Sequence, residues 1–99
     1  MRKNTAMVVE AVMAGKSCRK CEAIHTDGKV VRSYRTVVAV PSPNGEWYVN
    51  AGDEHSKTTT IQVNGLAYGI GYVHKKTVHR VNQNKIEELY AALLDKGLV

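Results

Sequence analysis

Two dipeptides, Asp27-Gly28 and Asn44-Gly45, constrain this chain most, because each sits between segments rich in Val, Ile, Thr, Tyr and Trp. Asp-Gly and Asn-Gly tolerate the positive φ angles of tight type I′ turns, so they fold strands back on themselves. The middle of the chain therefore reads as an antiparallel meander with strands near 22–26, 29–40 and 46–50. Hydrophobic alternation changes phase near Tyr34-Arg35, which predicts a bulge within the long middle strand. Pro41-Ser42-Pro43 belongs to the second turn rather than to a central strand.

Helical signals flank the meander. Asn4 is placed to cap a helix running to about Ala14, with Gly15 as its stop and Ala6, Val9 and Met13 on its apolar face. Asn82 or Asn84 caps a second helix carrying Ile86, Leu89, Tyr90, Leu93 and Leu94, with Gly97 at its end. That stripe is the pattern of a helix packed on one face, and is read as core. Between these regions, Thr59-x-x-Gln62 has capping-box spacing and predicts one short helical turn ending at Asn64-Gly65. Leu66–Val73 and Thr77–Val81 then read as a further hairpin with Lys75-Lys76 near its tip. The expectation is a small α+β fold: residues 1–99 as one domain, antiparallel hairpins between an N-terminal helix and a C-terminal amphipathic helix.

At 99 residues there is room for one core. Phe is absent, so aromatic packing falls to Trp47 and five tyrosines. The apolar run Ala6–Val9 meets Glu10 too early for a signal peptide, and no stretch approaches the ~20 apolar residues of a membrane span. A cytoplasmic protein with no membrane partner is expected.

Charge is unevenly spread within the net +5: residues 1–36 hold eight Lys/Arg against three acids, and residues 37–56 hold Glu46, Asp53 and Glu54 with no base. A basic first third attracts polyanions, and it also serves solubility. Its constellation is Lys16, Arg19, Lys20, Lys29, Arg32 and Arg35, with Tyr34 among them and Trp47 on the neighbouring strand. Such cations neutralise phosphates while an exposed aromatic supports a base; Tyr34 and Trp47 could equally be core. There is no RNP aromatic motif, KH loop or helix-turn-helix spacing, which favours sequence-independent binding.

Other motifs carry less. Gly15-Lys16-Ser17 lacks the upstream glycine of a P-loop and closes a helix instead of opening one. Asp53, His55 and Ser56 are crowded into one loop, where a triad is not assembled. Cys18-x-x-Cys21 could grip one side of Zn²⁺ with His74 and His79 as the remaining ligands, giving an alternative zinc-stabilised module. Cys18, Cys21 and His25 form a second set, one ligand short. Arg19 and Lys20 would lower a thiol pKa, but the βαβ context of a thioredoxin-like motif is missing.

Several short pieces in order, Gly15-Lys16-Ser17, Thr26-Asp27-Gly28, Ser33-Tyr34, Val38-Ala39, Val49-Asn50 and Ser56-Lys57-Thr58-Thr59, resemble a group of small uncharacterised bacteriophage proteins. The chain departs from that group at Cys18 and Cys21, which weakens a shared zinc site, and at Arg32. The resemblance implies a phage product acting in an infected bacterium, and transfers no catalytic or binding residue. The expected function is non-enzymatic: nucleic-acid binding through the basic strands, without a cofactor. The alternative is inhibition of a host protein or defence complex, with the basic surface on an acidic patch or Asp53-Glu54 in a nucleic-acid channel. An unpaired edge strand would offer a route to a homodimer.

Overall fold

The computed structural model describes residues 1–52 and 57–99. Asp53, Glu54, His55 and Ser56, which hold the triad-type cluster and the acidic pair, lie outside the described residues. In chain order the elements are α1 (Lys3–Met13), β1 (His25–Thr26), β2 (Val31–Ser33), β3 (Thr36–Pro41), β4 (Trp47–Asn50), α2 (Lys57–Ala67), a π-helical continuation (Tyr68–Val73), β5 (Val78–Val81) and α3 (Gln83–Asp95). The fold is α+β: one five-stranded sheet in the order β1-β2-β3-β4-β5, antiparallel except for β5, which runs parallel to β4.

Both turn dipeptides reverse the chain, in loops longer than two residues. Thr26 pairs with Val31 across the first, and Pro41 with Trp47 across the second. Gly28 and Gly45 take the positive φ angles, +97° and +88°. Asp27 Oδ1 accepts from the N–H groups of Lys29 (2.9 Å) and Val30 (3.1 Å), and Asn44 Oδ1 from that of Glu46 (3.1 Å). The side chains thus satisfy loop donors that no ladder reaches.

The long middle strand is two strands. Ser33 pairs with Thr36, and Tyr34 at φ +54° makes the reversal between β2 and β3. No glycine marks this turn, which is why the sequence reads as continuous. The expected bulge lies just beyond it: Val31 opposes Ala39 and Arg32 opposes Val37, leaving Val38 as the extra residue. Side-chain alternation resets there. Val38 and Ala39 join the core under α1 and α2, whereas Val37 and Val40 join the core under α3.

Each sheet face is covered. On one, Val8, Val9 and Val12 of α1 and Val63, Leu66 and Ile70 pack on Val31, Val38, Trp47 and Val49. On the other, Ile86 and Leu93 of α3 pack on Val30, Val37 and Val40. The C-terminal helix is therefore core-packed through Ile86 and Leu93, with Leu89 and Tyr90 half-buried and Leu94, expected in the same stripe, exposed; Asn82 Oδ1 accepts from Lys85 N–H at 2.9 Å. At α1, Arg2 occupies the cap position in place of Asn4, and no side chain caps the helix.

The expected hairpin at Leu66–Val73 is instead helix, continuous with an α2 much longer than one turn. Leu66, Tyr68, Ile70 and Tyr72 alternate, but Leu66 and Ile70 also stand at i, i+4, and burial follows that spacing. Gly65 and Gly69 let α1 come close. A Cβ on Gly65 would lie 3.1 Å from Thr5 Cγ2, and one on Gly69 would lie 2.9 Å from Val9 Cγ2. Thr5 and Val9 meet Gly65 and Gly69 in the same order, so α1 and α2 run parallel. β5 consequently has no hairpin partner: it crosses over to pair with β4 from Trp47↔Val78 to Asn50↔Val81.

Candidate nucleic-acid interface

The Lys16–Lys20 segment lies along the outer edge of β1. Cys18 exchanges both backbone hydrogen bonds with Thr26, at 2.9 and 3.0 Å, which covers part of that edge and turns Lys16, Arg19 and Lys20 outward. At one end, the Gly15 carbonyl approaches Gly28 so closely that a Cβ there would sit 2.8 Å from it. This brings the Lys16 and Lys29 loops together. At the other end, Tyr34 N–H donates to Glu22 O at 2.9 Å and anchors the Tyr34-Arg35 turn beside the Cys21–Ala23 segment.

Lys16, Arg19, Lys20, Lys29 and Arg35 are exposed, and among the described residues none forms an ion pair. Tyr34 is 61% exposed, a ring available for stacking. A groove of about 530 Å³ between α1 and Lys16–Cys18 adds an apolar floor of Ala6, Ala11 and Ala14.

Two sequence candidates are withdrawn from this rim. Trp47 is 6% exposed and belongs to the core under α1 and α2, the large apolar ring that a chain without Phe needs there. Arg32 is turned to α3: its Nη1 meets Asp27 Oδ2 at 3.3 Å, its Nη2 donates to Tyr90 Oη at 2.8 Å, and its guanidinium lies 5.6 Å from the Tyr90 ring centre. It fastens strand to helix. For Asp27, partial burial pushes the carboxyl pKa up, but the Lys29 and Val30 N–H groups and Arg32 outweigh it and hold the value below the ordinary one.

The zinc set is not assembled. His74 pairs with Glu10, His79 pairs with Glu46 at 3.0 Å and stacks on Tyr48, and both cysteines are free thiols. Among the described residues no three His, Cys, Asp or Glu side chains converge.

The matched pattern extends across the described fold from α1 to the first turn of α3, over residues 4–87. The chain belongs to DUF8033, a family of unknown function. No curated protein and no solved structure matches it. The DUF8033 span takes in the whole basic rim and also a surface that sequence reasoning missed. Tyr68 and Tyr72 are 52% and 65% exposed and stack with ring centres 5.2 Å apart; Lys75 Nζ lies 4.7 Å from the Tyr72 centre. Their i, i+4 spacing is the signal, legible only once the segment is read as helix.

Proposed function

We propose that this DUF8033 chain is a non-enzymatic phage accessory protein that binds nucleic acid through the β1 rim. The observation that carries the reading is the rim itself: five exposed cations without ion partners among the described residues, beside one exposed ring. Lys16, Arg19, Lys20, Lys29 and Arg35 would neutralise phosphates, and Tyr34 would support a base. Backbone neutralisation with a single stacking ring favours binding without base readout. The phage assignment comes from the sequence resemblance, and with it the cytoplasm of an infected bacterium as the site of action.

The test is fluorescence anisotropy with a labelled single-stranded oligonucleotide between 50 and 200 mM salt. If all five cations meet phosphates, released counterions should weaken binding by roughly 100-fold over that range. Affinity independent of salt would defeat the proposal.

A second reading, inhibition of a host protein, draws on the Tyr68–Tyr72–Lys75 surface, with exposed Ile61 and Val73 on the same helical segment. Exposed tyrosines are the residue type that anchors protein interfaces. Pull-down from bacterial lysate with and without nuclease separates the two. A stoichiometric protein retained after nuclease favours the second reading, and co-purifying nucleic acid that nuclease removes favours the first.

A further inference from the structure

A pocket of about 190 Å³ lies where the N-terminal ends of α1 and α2 meet. It is lined by Arg2, Lys3, Asn4 and Thr5 from α1, Thr58 and Gln62 from α2, and Cys21, Ala23 and Ile24 from the segment entering β1. Because the two helices are parallel, the positive ends of both macrodipoles converge on it. Neither helix has an acid in its first turn, and among the described residues no acid lines the pocket. The Lys3, Asn4 and Thr5 N–H groups precede the first intrahelical bond, which Ala6 N–H makes to Arg2 O, and no side chain caps them.

Two buried side chains point independently to a ligand. Thr5 is 2% exposed, and among the described residues its hydroxyl has no hydrogen-bond partner. Gln62 is 4% exposed; its Oε1 accepts from Ser33 Oγ at 3.1 Å, while its Nε2 has no partner among the described residues. Among the described residues no fully enclosed side-chain nitrogen or oxygen lacks a partner. Both groups therefore keep a small opening, and both residues line the pocket. Among the described residues, orphan N–H groups, a hydroxyl, an amide N–H and two cations form a donor set with no carboxylate acceptor.

We infer that this pocket is a binding site for a phosphate group. Its volume, set against roughly 30 Å³ for a water, admits a phosphate with part of its hydration. Backbone N–H groups at a helix N-terminus suit such an anion, and here a second helix adds its field. The site stands whether or not the rim binds nucleic acid. Its ligand is a free phosphate or the terminal phosphate of a strand, since Cys21 in its wall directly follows the Arg19-Lys20 stretch of the rim.

The experiment is a ¹⁵N NMR titration of the full chain with inorganic phosphate, ionic strength held constant with sodium chloride. Saturable shifts of the Lys3, Asn4 and Thr5 amides are expected. Thr5→Val, which keeps the side-chain shape, should weaken phosphate binding roughly tenfold, the worth of one hydrogen bond to a charged group. Lys3→Glu, at an exposed position, should abolish saturation without lowering Tm, because the new carboxylate occupies the same field. Unmoved amides in the wild type, or equal shifts in the wild type and Lys3→Glu, would overturn the site. Tighter binding of a 5′-phosphorylated oligonucleotide than of its 5′-hydroxyl twin would identify a strand terminus as the source; equal binding of the two, with the phosphate shifts present, would identify free phosphate.

Discussion

Gly28 and Gly45 occupy the two turns that organise the sheet, but they are not equivalent. A Cβ on Gly45 would meet nothing within 4 Å, so Gly45→Ala bears only the cost of positive φ, about 1 kcal/mol. Gly28→Ala adds contact with the Gly15 backbone at 2.8 Å, where no flexible side chain can yield. Chemical denaturation should show Gly28→Ala losing at least about 2 kcal/mol more stability than Gly45→Ala. Arg32 and Arg35 divide similarly between structure and surface. Arg32→Ala should cost about 1–2 kcal/mol in unfolding free energy by freeing Tyr90 and Asp27, and should leave the salt slope of oligonucleotide binding unchanged. Arg35→Ala should be near neutral in stability and lower that slope by about one phosphate contact.

Asp27 gives the residue scale a pH signature. Its native pKa lies below the unfolded one, so its charge contributes stability that is fully present above the unfolded value, about 3.9. That contribution is lost as pH falls through the native value. Asp27→Asn keeps the Oδ1 acceptor and removes the charge. The mutant should be less stable than wild type at pH 7 by under about 1 kcal/mol, since the carboxylate side chain is 42% exposed. Paired denaturation curves should converge below about pH 4. A gap that persists undiminished at pH 2 would contradict this account.

At the level of elements, the α1–α2 contact depends on two glycines inside a helix. Alanine at a helical glycine normally favours the helix by about 1 kcal/mol. At Gly69 the new Cβ would meet Val9 Cγ2 at 2.9 Å and Cγ1 at 3.0 Å, and Val9 is buried and stiff at χ1. Overpacking costs about 1–3 kcal/mol, so Gly69→Ala should be destabilising on balance. In a Val9→Ala background, which opens the space, the same substitution should be neutral or stabilising. Thermal melts of the four proteins in this cycle decide it.

The same segment marks where sequence reasoning stops. Gly65, Gly69 and Gly71 lower helix propensity, and tyrosines two residues apart from core residues imitate a strand. What selects helix is tertiary: α1 approaches two of those glycines, and Val78 lies 3.2 Å from where a Cβ on Gly71 would be. By contrast, α3 and the two Gly turns were legible, because cap, stripe and turn chemistry are local.

Across the whole molecule, the charge gradient was legible and its geometry was not. Composition gives eight cations before residue 37. Only the sheet order places Lys16, Arg19 and Lys20 beside an edge, and only packing against α3 removes Arg32 from the set. Trp47 illustrates the same limit, since its flanking residues suit a base-stacking ring and a core ring alike. The parallel β5 was invisible because the register of a crossover depends on a helix that was read as a strand. Among the described residues, no helix is long and apolar enough to cross a membrane.

The layered arrangement also has a consequence for synthesis. Among the described residues every strand precedes α3, and α3 is the helix that packs over Val30, Val37 and Val40. At 5–20 residues per second, translating the 13 residues of α3 takes on the order of a second. A chain that has folded its sheet without α3 would present a valine-rich face to solvent. Deleting α3 should therefore turn a monodisperse protein into one that aggregates, which size-exclusion chromatography of the truncated chain would show.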